Sequence, residues 1–172
     1  MTTGDTLAGI GTRARGPVVQ LLRRLSLLVL VLVVAAGAAG LFGVRSASVT
    51  ERGGGYELTV THPRTARAGL DAPWVVELTA PPEGFGDTVE LAVRSGYFEF
   101  WEQQGFIPTP AEETADGDWY YMTFTPPPGR EFRLSFDAYV QPSSQRGGDG
   151  EVAVVVGGQR VVAARFSTWL AP

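Results

Sequence analysis

The residues with which this chain could do chemistry are one histidine, eighteen carboxylates and a run of aromatic rings; it has no cysteine. His62 stands before Pro63 at the end of an alternating apolar run, with no serine, threonine or cysteine placed near it in a nucleophile motif. A triad or a histidine metal site lacks its other members, so His62 reads as a solvated residue at a strand end. Glu99 and Glu102 have the residue types of a glycosidase pair, but carboxylates on strands ordinarily keep one face in water. Glu112, Glu113, Asp116 and Asp118 gather the hard oxygens that calcium takes. Their spacing departs from an EF-hand loop, and Asp-Gly is common turn chemistry. Gly147-Gly148-Asp149-Gly150 lacks the helix and basic residue of a phosphate loop and reads as a flexible turn. No catalytic residue, cofactor or metal ligand is expected, and the chain reads as a non-enzyme.

The stretch YFEFWEQQGFIPTP, residues 97–110, carries the strongest binding signal. Written as a strand, it turns Phe98 and Phe100 inward and leaves Tyr97 and Trp101 outside beside Glu99. Residues 118–125 repeat the pattern: Tyr120, Met122 and Phe124 go in, Trp119 and Tyr121 go out. Tyr97, Trp101, Trp119 and Tyr121 are therefore the candidate partner-binding residues. Four such rings on adjacent strands would make a patch larger than a monomer usually exposes. Rings of this kind anchor protein interfaces and stack on sugars. The competing expectation is that residues 103–117, a long connection containing Phe106 and Ile107, fold back and cover them.

These residues must be positioned by strands. Tyr56, Leu58 and Val60 alternate with polar neighbours; so do Trp74, Val76 and Leu78, then Val89, Leu91 and Val93, then Phe132, Leu134, Phe136, Ala138 and Val140. Strict alternation is the mark of a strand with one buried face. Gly- and Pro-rich breaks separate the runs, and Gly157-Gly158 between EVAVVV and QRVVAARF predicts a type I′ hairpin. Eight or nine short strands without an amphipathic helix predict an all-β fold, a β-sandwich.

Ala72-Pro73-Trp74 opening a strand, Pro82-Glu83-Gly84-Phe85 in the following loop and Asp116-Gly117-Asp118 before a strand together resemble Ig-like bacterial surface domains. More narrowly, the chain is similar to single-pass membrane proteins of actinobacterial type. The resemblance covers most of residues 46–172 and implies an Ig-like β-sandwich ectodomain, and no activity. The cysteine pair of antibody domains is absent.

Residues 25–44, LSLLVLVLVVAAGAAGLFGV, carry no charge and as a helix would span roughly 30 Å, a bilayer's hydrocarbon thickness. Arg13, Arg15, Arg23 and Arg24 precede them. The positive-inside rule then predicts a cytoplasmic tail over 1–24, a transmembrane helix over 25–44 and an extracytoplasmic sandwich over 45–172 in the cell membrane. The alternative is a cleaved signal peptide, with Ala36-Gly37-Ala38 as the small-x-small site and Arg23-Arg24 as a twin-arginine hint. The apolar run continues to Val44, which favours retention. Ala36/Gly40 and Ala39/Gly43 have the spacing of a helix-pairing face, in a chain where both residue types are abundant. A linker of about 45–47 would hold the sandwich near the bilayer.

All fourteen basic residues are arginine, and lysine and asparagine are absent, as in a GC-rich bacterial genome. Without asparagine there is no N-glycosylation acceptor. Residues 46–172 hold nine arginines against seventeen carboxylates, which repels phosphate backbones and argues against nucleic acid as a partner. The expected function is a membrane-anchored interaction or accessory domain. Its partner would be another membrane protein or a cell-envelope component. The alternatives are an envelope carbohydrate-binding domain, or a secreted domain released by signal peptidase. The oligomeric state is left open.

Overall fold

The computed structural model describes residues 16–40, 43–144 and 146–171. The chain divides into two units, Met1–Phe42 and Gly43–Pro172. The first contains α1, Pro17–Ala38, a helix of 22 residues. Proline at its first position costs no hydrogen bond, because that amide has no intrahelical partner. Gly40 ends it: φ is +69°, the left-handed cap that residues with a Cβ avoid. The amides of Ala39 and Gly40 reach the carbonyls of Ala35 and Gly37 at 2.9 Å. An 18-residue window of α1 has a mean hydropathy of 2.2, and no residue of the helix is buried.

The helix therefore begins upstream of Arg23 and Arg24 and stops short of Val44, so its bounds differ from the uncharged run. That stop also separates the small residues: Gly40 and Gly43 lie beyond the helix, and neither small-residue pair forms a helical stripe. Residues 45–47 are not a linker, because β1 begins at Arg45.

The second unit is two stacked sheets. Its strands are β1 Arg45–Gly53, β2 Tyr56–Arg67, β3 Trp74–Thr79, β4 Val89–Arg94, β5 Trp101–Ile107, β6 Glu112–Ala115, β7 Trp119–Phe124, β8 Glu131–Val140, β9 Asp149–Val156, β10 Gln159–Ser167 and β11 Trp169–Ala171. The first sheet runs β1-β2-β3-β8-β5, and β11 joins it parallel to β2. The second runs β10-β9-β4-β7-β6. All other pairings are antiparallel.

The alternating apolar residues of both sheets meet in one core. Leu58, Val60, Trp74, Val76 and Leu78 from the first sheet join Leu91, Val93, Met122, Phe124, Val152 and Val154 from the second. Each such side chain contributes roughly 1.5–3 kcal/mol by leaving water. The intervening residues form a polar outer face on the first sheet. Ser48 bonds Thr61 at 2.9 Å, Thr50 bonds Thr59 at 2.8 Å, and Arg133 pairs with Glu77. The predicted hairpin is present: Gly157 and Gly158 take φ of +57° and +74° between β9 and β10. The segment 103–117, expected as a long loop, instead supplies most of β5 and all of β6.

Candidate functional site

The aromatic stretch is not a strand at its start. Residues Ser95–Phe98 form a single 3-10 turn, and β5 begins only at Trp101. A strand would alternate its side chains; this turn instead carries the chain from the second sheet to the first, across the end of the sandwich. Tyr97, Phe98, Phe100 and Trp101 are consequently all buried. Tyr97 and Trp101, expected on the outer face, belong to the core. No covering loop is needed, because the turn itself closes the core. Phe106 adds to it from β5, stacked on Phe136 at 4.8 Å.

This plug is latched by polar atoms. Thr168 donates to the Pro63 carbonyl at 2.7 Å, and its oxygen lies 3.0 Å from the Tyr97 hydroxyl. The threonine proton is committed to Pro63, so Tyr97 is the donor in the second bond. Burial pushes the Tyr97 phenol far above its ordinary range and keeps it neutral. Gly150 lies against the same rings: a Cβ there would come within 2.3 Å of Phe166 and 2.9 Å of Tyr97. The segment read as a flexible glycine turn is thus a point of close packing. His62 is also buried, not solvated. Its ring stacks on Phe166 at 4.7 Å and its Nδ1 lies 3.3 Å from the Pro63 carbonyl. Desolvation lowers its pKa, and the Pro63 carbonyl opposes that shift.

Trp119 and Tyr121 do lie on the outer face of the second sheet, built as follows. β7 alternates, so Met122 and Phe124 enter the core and Trp119 and Tyr121 project away from it. Tyr121 registers opposite Ala92, Ala92 opposite Ala153, and Ala153 opposite Ala163. A row of methyl groups leaves a trough, and the Trp119 indole occupies it, packed with Ala92, Ala153 and Val155. The Arg94 and Arg160 guanidinium carbons sit 4.8 and 4.3 Å from the indole centroid. Each such cation–π contact contributes about 0.5–1 kcal/mol at an exposed site. With its ring so covered, Trp119 is only 8 % exposed and offers no open face for a sugar.

The cluster presents charge instead of ring. Arg94 lies 3.8 Å from Asp118 and 4.0 Å from Glu151, and Arg165 lies 3.2 Å from Glu151. Asp116 accepts from the Trp119 amide at 2.9 Å and from the Tyr121 hydroxyl at 3.0 Å. The amide bond is the largest cause holding the Asp116 carboxyl below the usual carboxylate range. The Tyr121 phenol is raised, first by desolvation and then by Asp116. Glu113 accepts from Tyr120, which burial and Glu113 push up to about 12. Among the described residues no group of three potential metal ligands converges.

Of the four candidate rings, then, the fold brings Trp119 and Tyr121 together and places Tyr97 and Trp101 in the interior. Arg94, Arg160 and the alanine row were not singled out from sequence. Their signal was there: Ala92, Ala153 and Ala163 take outward positions on three strands, where an unprotected methyl gains nothing. No protein-family model matches the chain, and no curated protein matches it in sequence.

Proposed function

We propose that the protein is a single-pass membrane protein whose sandwich is an extracytoplasmic, non-enzymatic interaction module. The reading is carried by α1. Its leucines and valines from Val18 to Val34 are each 50–67 % exposed, and such an apolar cylinder requires lipid, or a translocon before cleavage. The full helix would extend about 33 Å, enough to cross the hydrocarbon layer with Arg23 and Arg24 snorkelling toward the cytoplasmic side. The arginines on its N-terminal side favour that orientation.

The sandwich shares the two-sheet architecture of Ig-like domains. Its strand orders, β1-β2-β3-β8-β5 and β10-β9-β4-β7-β6, differ from the Ig arrangement, so the likeness is architectural. The partner is another membrane protein or an envelope component. The outer face around Arg94, Arg160 and Arg165 supports a polar protein partner, since arginine is enriched among interface anchors and Trp119 holds two of these guanidinium groups in place.

Mass spectrometry of the mature N-terminus tests the anchor: a chain beginning at Ala39 ends it in favour of a released domain. Crosslinking in membranes tests the module. Recovery of one recurrent membrane protein, lost on Arg160→Glu, supports the proposal; recovery of glycan alone would replace it with carbohydrate binding.

A further inference from the structure

The most exposed aromatic ring recorded in the sandwich is Trp169, at 61 %. It opens β11 and registers on Thr65, and so does Arg45, the first residue of β1. Two strand spacings, about 10 Å, bound the separation of their backbones. Trp169 and Arg146 line one shallow depression that reaches Leu170. From Leu170 a second continues past Arg67 to Leu70, which is 46 % exposed. Arg45, Arg64 and Arg146 are exposed on this end. Asp149 lines the first depression beside Trp169 and Arg146, and Asp71 follows Leu70 in the chain; the three exposed arginines outnumber these two carboxylates in a domain that is acidic overall.

Seven peptide units separate Ala38 from Arg45, a reach of at most about 25 Å. A chain held by α1 therefore keeps this end within reach of the headgroup zone, where tryptophan and arginine are the favoured side chains. We propose that the Arg45–Trp169 end of the sandwich docks on the outer surface of an anionic phospholipid bilayer. Trp169 and Leu70 enter the interface, and Arg45, Arg64 and Arg146 meet lipid phosphates. The surface explains why a large ring is left in water on a domain whose other three tryptophans are covered. The proposal rests on retention of α1.

The full chain is reconstituted into phosphatidylcholine vesicles with or without phosphatidylglycerol, made with acyl-brominated lipid that quenches nearby indoles. Flotation after alkaline carbonate reads the anchor, and tryptophan emission reads docking. All four tryptophans lie in the sandwich, so docking removes about a quarter of the emission, the share of one indole in four. The quenching disappears in Trp169→Phe and weakens without phosphatidylglycerol or in Arg45→Gln/Arg146→Gln. A chain that floats without quenching, or that is quenched equally after Trp169→Phe, overturns docking and leaves the anchor standing. Quenching indifferent to lipid charge overturns the role of the arginines, and a chain that fails to float overturns anchor and docking together.

Discussion

Replacing Thr168 by valine keeps the size of the side chain and removes one hydroxyl. The structure makes that hydroxyl a hinge between two buried groups: it donates to the Pro63 carbonyl and accepts from Tyr97. Tyr97 is fully buried, so no water replaces the lost partner. Thr168→Val therefore strands a donor and weakens the satisfaction of an acceptor, each at about 1–3 kcal/mol, for a total of roughly 2–6 kcal/mol. Tyr97→Phe is milder. It leaves the Thr168–Pro63 bond intact and the ring still packed on Phe100 and Phe166, at 5.2 and 5.0 Å, so it costs about 1 kcal/mol. In the double variant the Tyr97 donor no longer exists to be stranded, so the two losses do not add, and the coupling is about 1–2 kcal/mol. The assay is urea unfolding of the full chain in detergent followed by tryptophan emission, which reports the sandwich alone. Additive losses, or a Thr168→Val cost below about 0.5 kcal/mol, would refute the latch.

Further outcomes follow from other parts of the sandwich. His62 is the sole histidine, and burial lowers its pKa, so below about pH 6.5 the unfolded chain takes up the proton first. Stability is therefore complete above that pH and falls as pH drops toward the lowered native value, with a slope of at most about 1.4 kcal/mol per pH unit; His62→Gln flattens the urea midpoint between pH 7 and 5.5. Ala92→Leu fills the trough under Trp119, costs about 1–3 kcal/mol and raises the acrylamide quenching of that indole. Gly150→Ala drives a methyl into Phe166 and Tyr97, a comparable overpacking loss readable in the same unfolding assay. Gly158→Ala places a Cβ at φ +74° and costs about 1 kcal/mol with little change in the folded spectrum.

The strands that alternate cleanly were legible from residue order alone. Leu58 and Val60, Trp74 and Val76, Leu91 and Val93, Met122 and Phe124 all face the core as their period requires, because the side-chain period of a strand is independent of its neighbours. The apolar helix and the Gly157-Gly158 hairpin were legible for the same reason: length, hydropathy and positive φ are local properties. What failed was each inference that needed to know what lay opposite. Tyr97 and Trp101 looked external because alternation was extended through Ser95–Phe98, where the chain instead turns between sheets. His62 looked solvated because the phenylalanine that covers it, Phe166, is more than a hundred residues away. Trp119 did project outward as its period requires, yet it is covered, since three alanines from β4, β9 and β10 make room for it and two arginines close over it. Amino-acid order determined an apolar helix followed by an alternating, all-strand acidic domain. The exposure of each ring, and hence which surface remains for a partner, was decided only by strand order across the two sheets, because burial depends on atoms that sequence distance does not bring together.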